Sequence, residues 1–170
     1  MAGIIYELIE VLEEQRECYE GLCTLARYKQ EAVVAKNLEL LQEVVTTEEQ
    51  FAGRLTILDR KREQLLKDVS IVTGMNYKEL NVTGIAIKLG QDNEASKKLI
   101  KIREELHQLI EALKKQNELN AILITQSLEF VDFTINAIES AQSYIQPSGY
   151  NKPGEDIVGH QQRSYFDKKQ

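Results

Sequence analysis

One stretch of the chain carries a heptad repeat that admits little besides a long helix packed along another helix. Between residues 41 and 72, apolar side chains return at alternating steps of three and four, filling eight of ten positions. This spacing is the seam of a coiled coil, in which 3.5 residues make one turn of the supercoiled helix. The seam positions are Leu41, Val44, Glu48, Phe51, Leu55, Leu58, Arg62, Leu65, Val69 and Val72.

A second repeat with the same spacing offers a partner for the first. In an antiparallel pair of helices, the residue numbers of opposed positions must sum to a constant. Eight pairs, from Val69 with Leu99 to Leu41 with Ser127, sum to 167 or 168. One register therefore matches both seams, and it places Glu48 beside Asn120 as a polar layer that fixes the register. The second seam consists of Leu99, Ile102, Leu106, Leu109, Leu113, Gln116, Asn120, Leu123, Ser127 and Phe130.

The chain as a whole has the composition of helices rather than sheets, with nine Gly, two Pro and no Trp against 28% charged residues. We predict an all-α fold, an elongated antiparallel helical bundle or coiled-coil hairpin of three long helices with one short connecting helix. The predicted helices are residues 4–36, 38–73, 83–89 and 94–145. They form a bundle domain of residues 1–146, which a flexible C-terminal tail of residues 147–170 follows.

The junction between the first two helices leaves two arrangements open. At Ala35 to Leu38 the apolar pattern shifts by about one residue, and Asn37 has a side chain able to cap a new helix. Neither Gly nor Pro forces a break there, so a sharp turn and a continuous helix are both compatible with the residues. The turn is favoured because three helices bury more apolar surface than two.

The predicted register leaves the end of the last helix without a partner. In this register the second helix begins at Leu38, opposite Phe130. Residues 131–145 of the last helix therefore extend about 22 Å beyond the start of the second helix. These residues are largely apolar, and an uncovered apolar helix end typically meets a partner. Alternatively, the first helix or the connection before the last helix covers these apolar residues. The candidate client-binding residues are Phe130, Val131, Phe133, Ile135, Ile138, Tyr144 and Ile145.

The C-terminal tail offers a second candidate element. Near its end two aromatic residues stand among charges, which is typical of a short linear recognition motif and also of a solvated tail. The candidate tail recognition residues are Arg163, Tyr165 and Phe166.

Charge and residue types argue against several functions. A net charge of −6 repels nucleic acid. The start of the chain has no secretory pattern, and polar residues interrupt the apolar stretch Leu119 to Ile138, among them Asn120, Gln126, Glu129, Asp132 and Asn136. We therefore expect a cytoplasmic protein without membrane insertion. Cys18 and Cys23 lie about 140° apart around a helix, far in sequence from either histidine. We expect no metal, no cofactor and no enzymatic activity.

Particular segments carry a family resemblance that covers nearly the whole chain. The most specific are residues 117–123 leading into 126–131, and residues 163–169; residues 35–41, residues 58–63 and the Gly74 loop before residues 80–89 agree with them. With these segments the chain resembles the FlgN family of flagellar type III export chaperones.

The resemblance implies a cytoplasmic chaperone that binds hook-associated proteins of the hook–filament junction. It would prevent their premature assembly and deliver them to the flagellar export gate. In that family the end of the last helix and the segment after it bind clients, which here implicates Phe130, Phe133, Ile135, Ile138, Tyr144 and Ile145. The chain departs from the family's usual tail at residues 150–154, where Pro153 is not expected, so the path after Ile145 is left open.

Two other functions are alternatives to the chaperone function. The first is a self-assembling structural coiled coil, a homodimer through the apolar C-terminal helix. The second is a prefoldin-like interaction hairpin, which requires apolar residues at the hairpin tips.

Overall fold

The structure is a computed structural model that describes residues 2–77, 80–90 and 92–144. Over these residues it contains four α-helices and no strand: α1 (Ala2–Val34), α2 (Leu38–Thr73), α3 (Val82–Leu89) and α4 (Glu94–Tyr144). The predicted all-α class is confirmed. The chain divides into a first compact unit, Met1–Val131, and a second unit that starts at Asp132. Ile145 and the predicted tail, with its candidates Arg163, Tyr165 and Phe166, lie outside the described residues.

A tight turn separates α1 from α2. Lys36 adopts a left-handed backbone with φ 54°, and the Asn37 amide donates to the Ala32 carbonyl at 2.9 Å. The Asn37 side chain then caps α2 by accepting a hydrogen bond from the Leu40 amide at 3.0 Å. The sharp turn that the sequence favoured is therefore the arrangement that forms, and Asn37 is the cap that it predicted.

Helix α1 runs antiparallel to α2. Gln15 Nε2 donates to Asp59 Oδ1 at 2.7 Å, while the Lys29 ammonium, further along α1, pairs with Glu48, which is earlier in α2. Residue numbers thus rise along one helix as they fall along the other. At the far end, Gly74 ends α2 in the left-handed conformation with φ 68°, which glycine adopts without strain.

Helix α4 runs parallel to α1 and is held to it by polar contacts. Arg16 Nη1 donates to Glu105 Oε2 at 2.9 Å, and Gln116 Nε2 donates to Gln30 Oε1 at 2.7 Å. The Arg16 hydrogen bond lowers the pKa of the Glu105 carboxyl below its ordinary value. A shared core lies between the helices, with its most buried apolar side chains being Ile5, Leu8, Val11, Cys18, Val69 and Leu99.

The predicted polar layer forms, but with different partners. The sequence placed Glu48 beside Asn120; in the structure Glu48 pairs with Lys29, and Asn120 Nδ2 donates to the Ala26 carbonyl at 2.7 Å. Asn120 is only 2% exposed. The prediction compared two helices and left out α1, one turn of which supplies the polar partners of both Glu48 and Asn120. Buried polar contacts of this kind fix which turns of neighbouring helices meet.

Helix α3 covers the end where α2 stops and α4 starts. Its residues Ile85 and Ala86 are buried in the core. The Ser96 hydroxyl of α4 donates to the Ala86 carbonyl at 2.8 Å, and Lys88 Nζ donates to the Thr73 carbonyl at 2.7 Å. The connection therefore packs over one end of the first unit.

Two glycines inside helices give a matched test of the α1–α2 packing. A Cβ on Gly21 would lie 2.7 Å from a ring carbon of Phe51, whereas a Cβ on Gly53 would meet nothing within 4 Å. Gly53→Ala should stabilise the protein by up to about 1 kcal/mol through helix propensity. Gly21→Ala should leave it about 2 kcal/mol less stable than Gly53→Ala, since overpacking outweighs the same gain. Urea unfolding followed by circular dichroism measures both, and equal stabilities would contradict the packing at Gly21.

Candidate functional site

One side of α4 is buried along the first unit and exposed near its end. Ile102 and Asn120, which are 4% and 2% exposed, are 18 residues apart, or five helical turns. A further 11 and then 7 residues, close to three and two turns, lead to Val131 and Ile138 on the same side. These two side chains are 49% and 53% exposed. The side of α4 that is buried at Asn120 is therefore open to solvent at Val131 and Ile138.

Two more aliphatic residues join them in a row. Leu128, Val131, Ile135 and Ile138 follow one another at steps of three, four and three, so their side chains fall within about 80° around the helix axis. Leu128 and Ile135 are also exposed. We call these four residues the apolar stripe. Its spacing is that of a coiled-coil seam, the pattern that another helix packs against.

Two phenylalanines lie on another side of the same helix. Phe133 is 70% exposed, and Phe130 is 57% exposed although the Lys36 ammonium lies 4.9 Å from the centre of its ring. The cation–π contact places the α1–α2 turn next to Phe130, in agreement with the predicted register, which set Leu38 opposite Phe130. The turn therefore covers this ring only in part.

Five of the seven predicted client-binding residues can be assessed, and each is exposed: Phe130, Val131, Phe133, Ile135 and Ile138. The side chain of Tyr144 and all of Ile145 lie outside the described part of the chain. Leu128 was not among the predicted residues. The sequence does contain a signal for it, since Leu128 stands one heptad before Ile135.

The described residues offer little for catalysis. Among them, no group of three or more His, Cys, Asp or Glu side chains could hold a metal ion. Burial raises the pKa of both the Cys18 and the Cys23 thiol, and Cys23 donates to the Leu109 carbonyl at 3.5 Å. Thiols in that state remain protonated at neutral pH and are poor nucleophiles.

Length and hydropathy alone would allow one helix of the described chain to cross a membrane. Within Glu94–Ser143 the most apolar 18-residue window has a mean hydropathy of 1.3, and none of that window is buried. A single helix of this kind is weak evidence for a span, because the core helices of soluble proteins, which are mostly buried, pass the same test of length and hydropathy. The window does show how apolar this exposed part of α4 is.

The fold and the apolar stripe define a helical-bundle protein with an exposed surface of the type that binds other proteins. The FlgN protein family matches residues 1–156, and the chain belongs to this family of flagellar export chaperones. It is 28% identical over 131 residues to the uncharacterized protein YvyG of Bacillus subtilis (strain 168), a match that covers 77% of this chain and 78% of that relative. No solved structure matches the chain.

Proposed function

We propose that this chain is a cytoplasmic chaperone that binds hook-associated proteins of the hook–filament junction and delivers them to the flagellar type III export gate. Membership of the FlgN family supports the export role. The identity of the client and the binding surface on α4 are parts of the proposal. Binding would prevent client molecules from assembling with one another before export.

The observation that carries the proposal is the exposure of the apolar stripe. Four aliphatic side chains in coiled-coil spacing stand between 48% and 60% exposed, on a helix whose earlier part has one buried side. Complete burial of one such side chain is favourable by roughly 1.5–3 kcal/mol, so covering what remains exposed on four of them can stabilise a complex substantially. A client helix bound along the apolar stripe would pack against the end of α4 in the way that α1 packs against the earlier part of α4. Phe130 and Phe133 would contact flanking parts of the client, and we extend the proposed site to Tyr144 and Ile145.

Co-expression tests this function. The full-length chain should co-purify with a hook-associated junction protein from the same genome, and the junction protein should stay soluble and monomeric while bound. If junction proteins and the chain separate on purification and each is unaffected by the other, the proposed client is wrong.

A specific observation favours a second candidate, the prefoldin-like hairpin. Val34 and Leu38 flank the α1–α2 turn and are 68% and 78% exposed, so apolar residues do stand at this tip. In that case the client would be held at the turn rather than along α4. Leu38→Asp separates the two, because it should abolish binding at a tip and spare binding at the apolar stripe.

A further inference from the structure

We propose that the helix received by the apolar stripe carries basic side chains along the edge of its own apolar row that faces Glu129, Asp132 and Glu139. The proposal rests on the proposed function, because it specifies the chemistry of the partner at that same surface. It concerns which helices are accepted, since the apolar stripe alone would fit any amphipathic helix.

The charge of α4 changes sign before the stripe begins. Residues 94–115 contain six basic and four acidic residues. Residues 116–144 contain four acidic residues and neither Lys nor Arg. Every charged side chain that α4 itself contributes in this exposed apolar part is therefore acidic. A partner with the opposite charge is steered to such a surface, and a partner with the same charge is repelled.

The acidic residues are concentrated on one edge of the stripe. At 100° per residue, Glu129, Asp132 and Glu139 fall within about 80° of one another around the helix axis. Glu139 has the smallest angular separation from Leu128, about 20°. All three are exposed. The opposite edge carries Ser127, Thr134 and Ala141, which are small and uncharged. The two edges therefore differ in both charge and size.

Edge residues of this kind govern partner choice in coiled coils, where they face the edge residues of the neighbouring helix. Basic residues facing Glu129, Asp132 and Glu139 would form ion pairs. The same geometry disfavours two other occupants. A second copy aligned antiparallel would set acid against acid, and one aligned parallel would set acid against Ser, Thr and Ala. An anionic lipid surface would be repelled.

Two synthetic peptides of identical heptad sequence, with Leu and Ile in the seam, provide the probes. One carries Lys along one edge and the other carries Glu at the same positions. The full-length chain should bind the Lys peptide about tenfold more tightly at low salt, the result of three modest ion pairs, with the difference shrinking as salt is added. The triple variant Glu129→Lys, Asp132→Lys, Glu139→Lys should reverse the preference. Equal affinities for both peptides at low salt would overturn the inference.

Ile138→Asp distinguishes failure of this inference from failure of the proposed site. If both peptides bind equally and both are lost with Ile138→Asp, the site stands and the charge preference is wrong. If Ile138→Asp changes neither affinity, the stripe is not the binding surface and both proposals fall. Two further results would overturn the inference: a dimer of the full-length chain, or its flotation with phosphatidylglycerol vesicles, in either case abolished by Ile138→Asp.

Discussion

Replacing Ile138 with Asp is expected to weaken binding of the junction protein by at least about tenfold, and to change the free energy of unfolding by less than about 0.5 kcal/mol. Ile138 is 53% exposed in the free chain, so the carboxylate is hydrated there and costs little. In the complex it would be covered by the client helix, where an unpaired charge is strongly unfavourable. Isothermal titration calorimetry with the purified junction protein measures the first quantity, and urea unfolding measures the second.

A matched control is available on α2. Ile57 is 67% exposed, so Ile57→Asp introduces the same chemical change at a surface outside the stripe. It should leave both binding and stability nearly unchanged. Leu38→Asp, at the α1–α2 turn, completes the set. If Ile57→Asp weakened binding as much as Ile138→Asp, the effect would be one of overall charge and the apolar stripe would lose its role.

Replacing Leu99 with Ala should lower the free energy of unfolding by about 3 kcal/mol, the cost of a cavity at a fully buried leucine. Leu99 is 0% exposed and belongs to the core that α1, α2 and α4 share. The loss would show that the first part of α4 is integral to the bundle, which the proposed site requires as its rigid support.

The neighbouring residue controls for the change of side chain. Ile100 is 47% exposed, so Ile100→Ala should cost less than about 1 kcal/mol in the same urea titration. Equal losses at positions 99 and 100 would mean that α4 does not present one buried side to α1 and α2.

Much of the helical framework could be predicted from the residues because the signals are local. The heptad spacing identified α2 and α4, and Asn37 and Gly74 marked the two ends of α2 through capping and a left-handed backbone. The packing partner of each polar residue could not be predicted in the same way. Matching two seams takes no account of a third helix, and the polar interruptions of α1, Gln15 and Lys29, are what bind Asp59 and Glu48.

The candidate site was predictable to a similar degree. The exposure of Val131 and Ile138 could be predicted by counting residues, because the predicted last helix is longer than the predicted helix that it pairs with. The contact between Lys36 and Phe130 does not, because it depends on a left-handed backbone at a lysine, a conformation that non-glycine residues rarely adopt. Leu128 is absent from the predicted residues because the α4 seam that pairs with α2 contains Ser127, and Leu128 lies outside that pattern.

Sedimentation velocity of the full-length chain mixed with a purified junction protein from the same genome tests the chaperone function most directly. We predict that the two proteins sediment together as one complex, that the junction protein no longer self-associates, and that Ile138→Asp separates them. Independent sedimentation of the two proteins would contradict the proposed function. A dilution-resistant homodimer of the chain alone, dissociated by Ile138→Asp, would instead assign the apolar stripe to self-assembly.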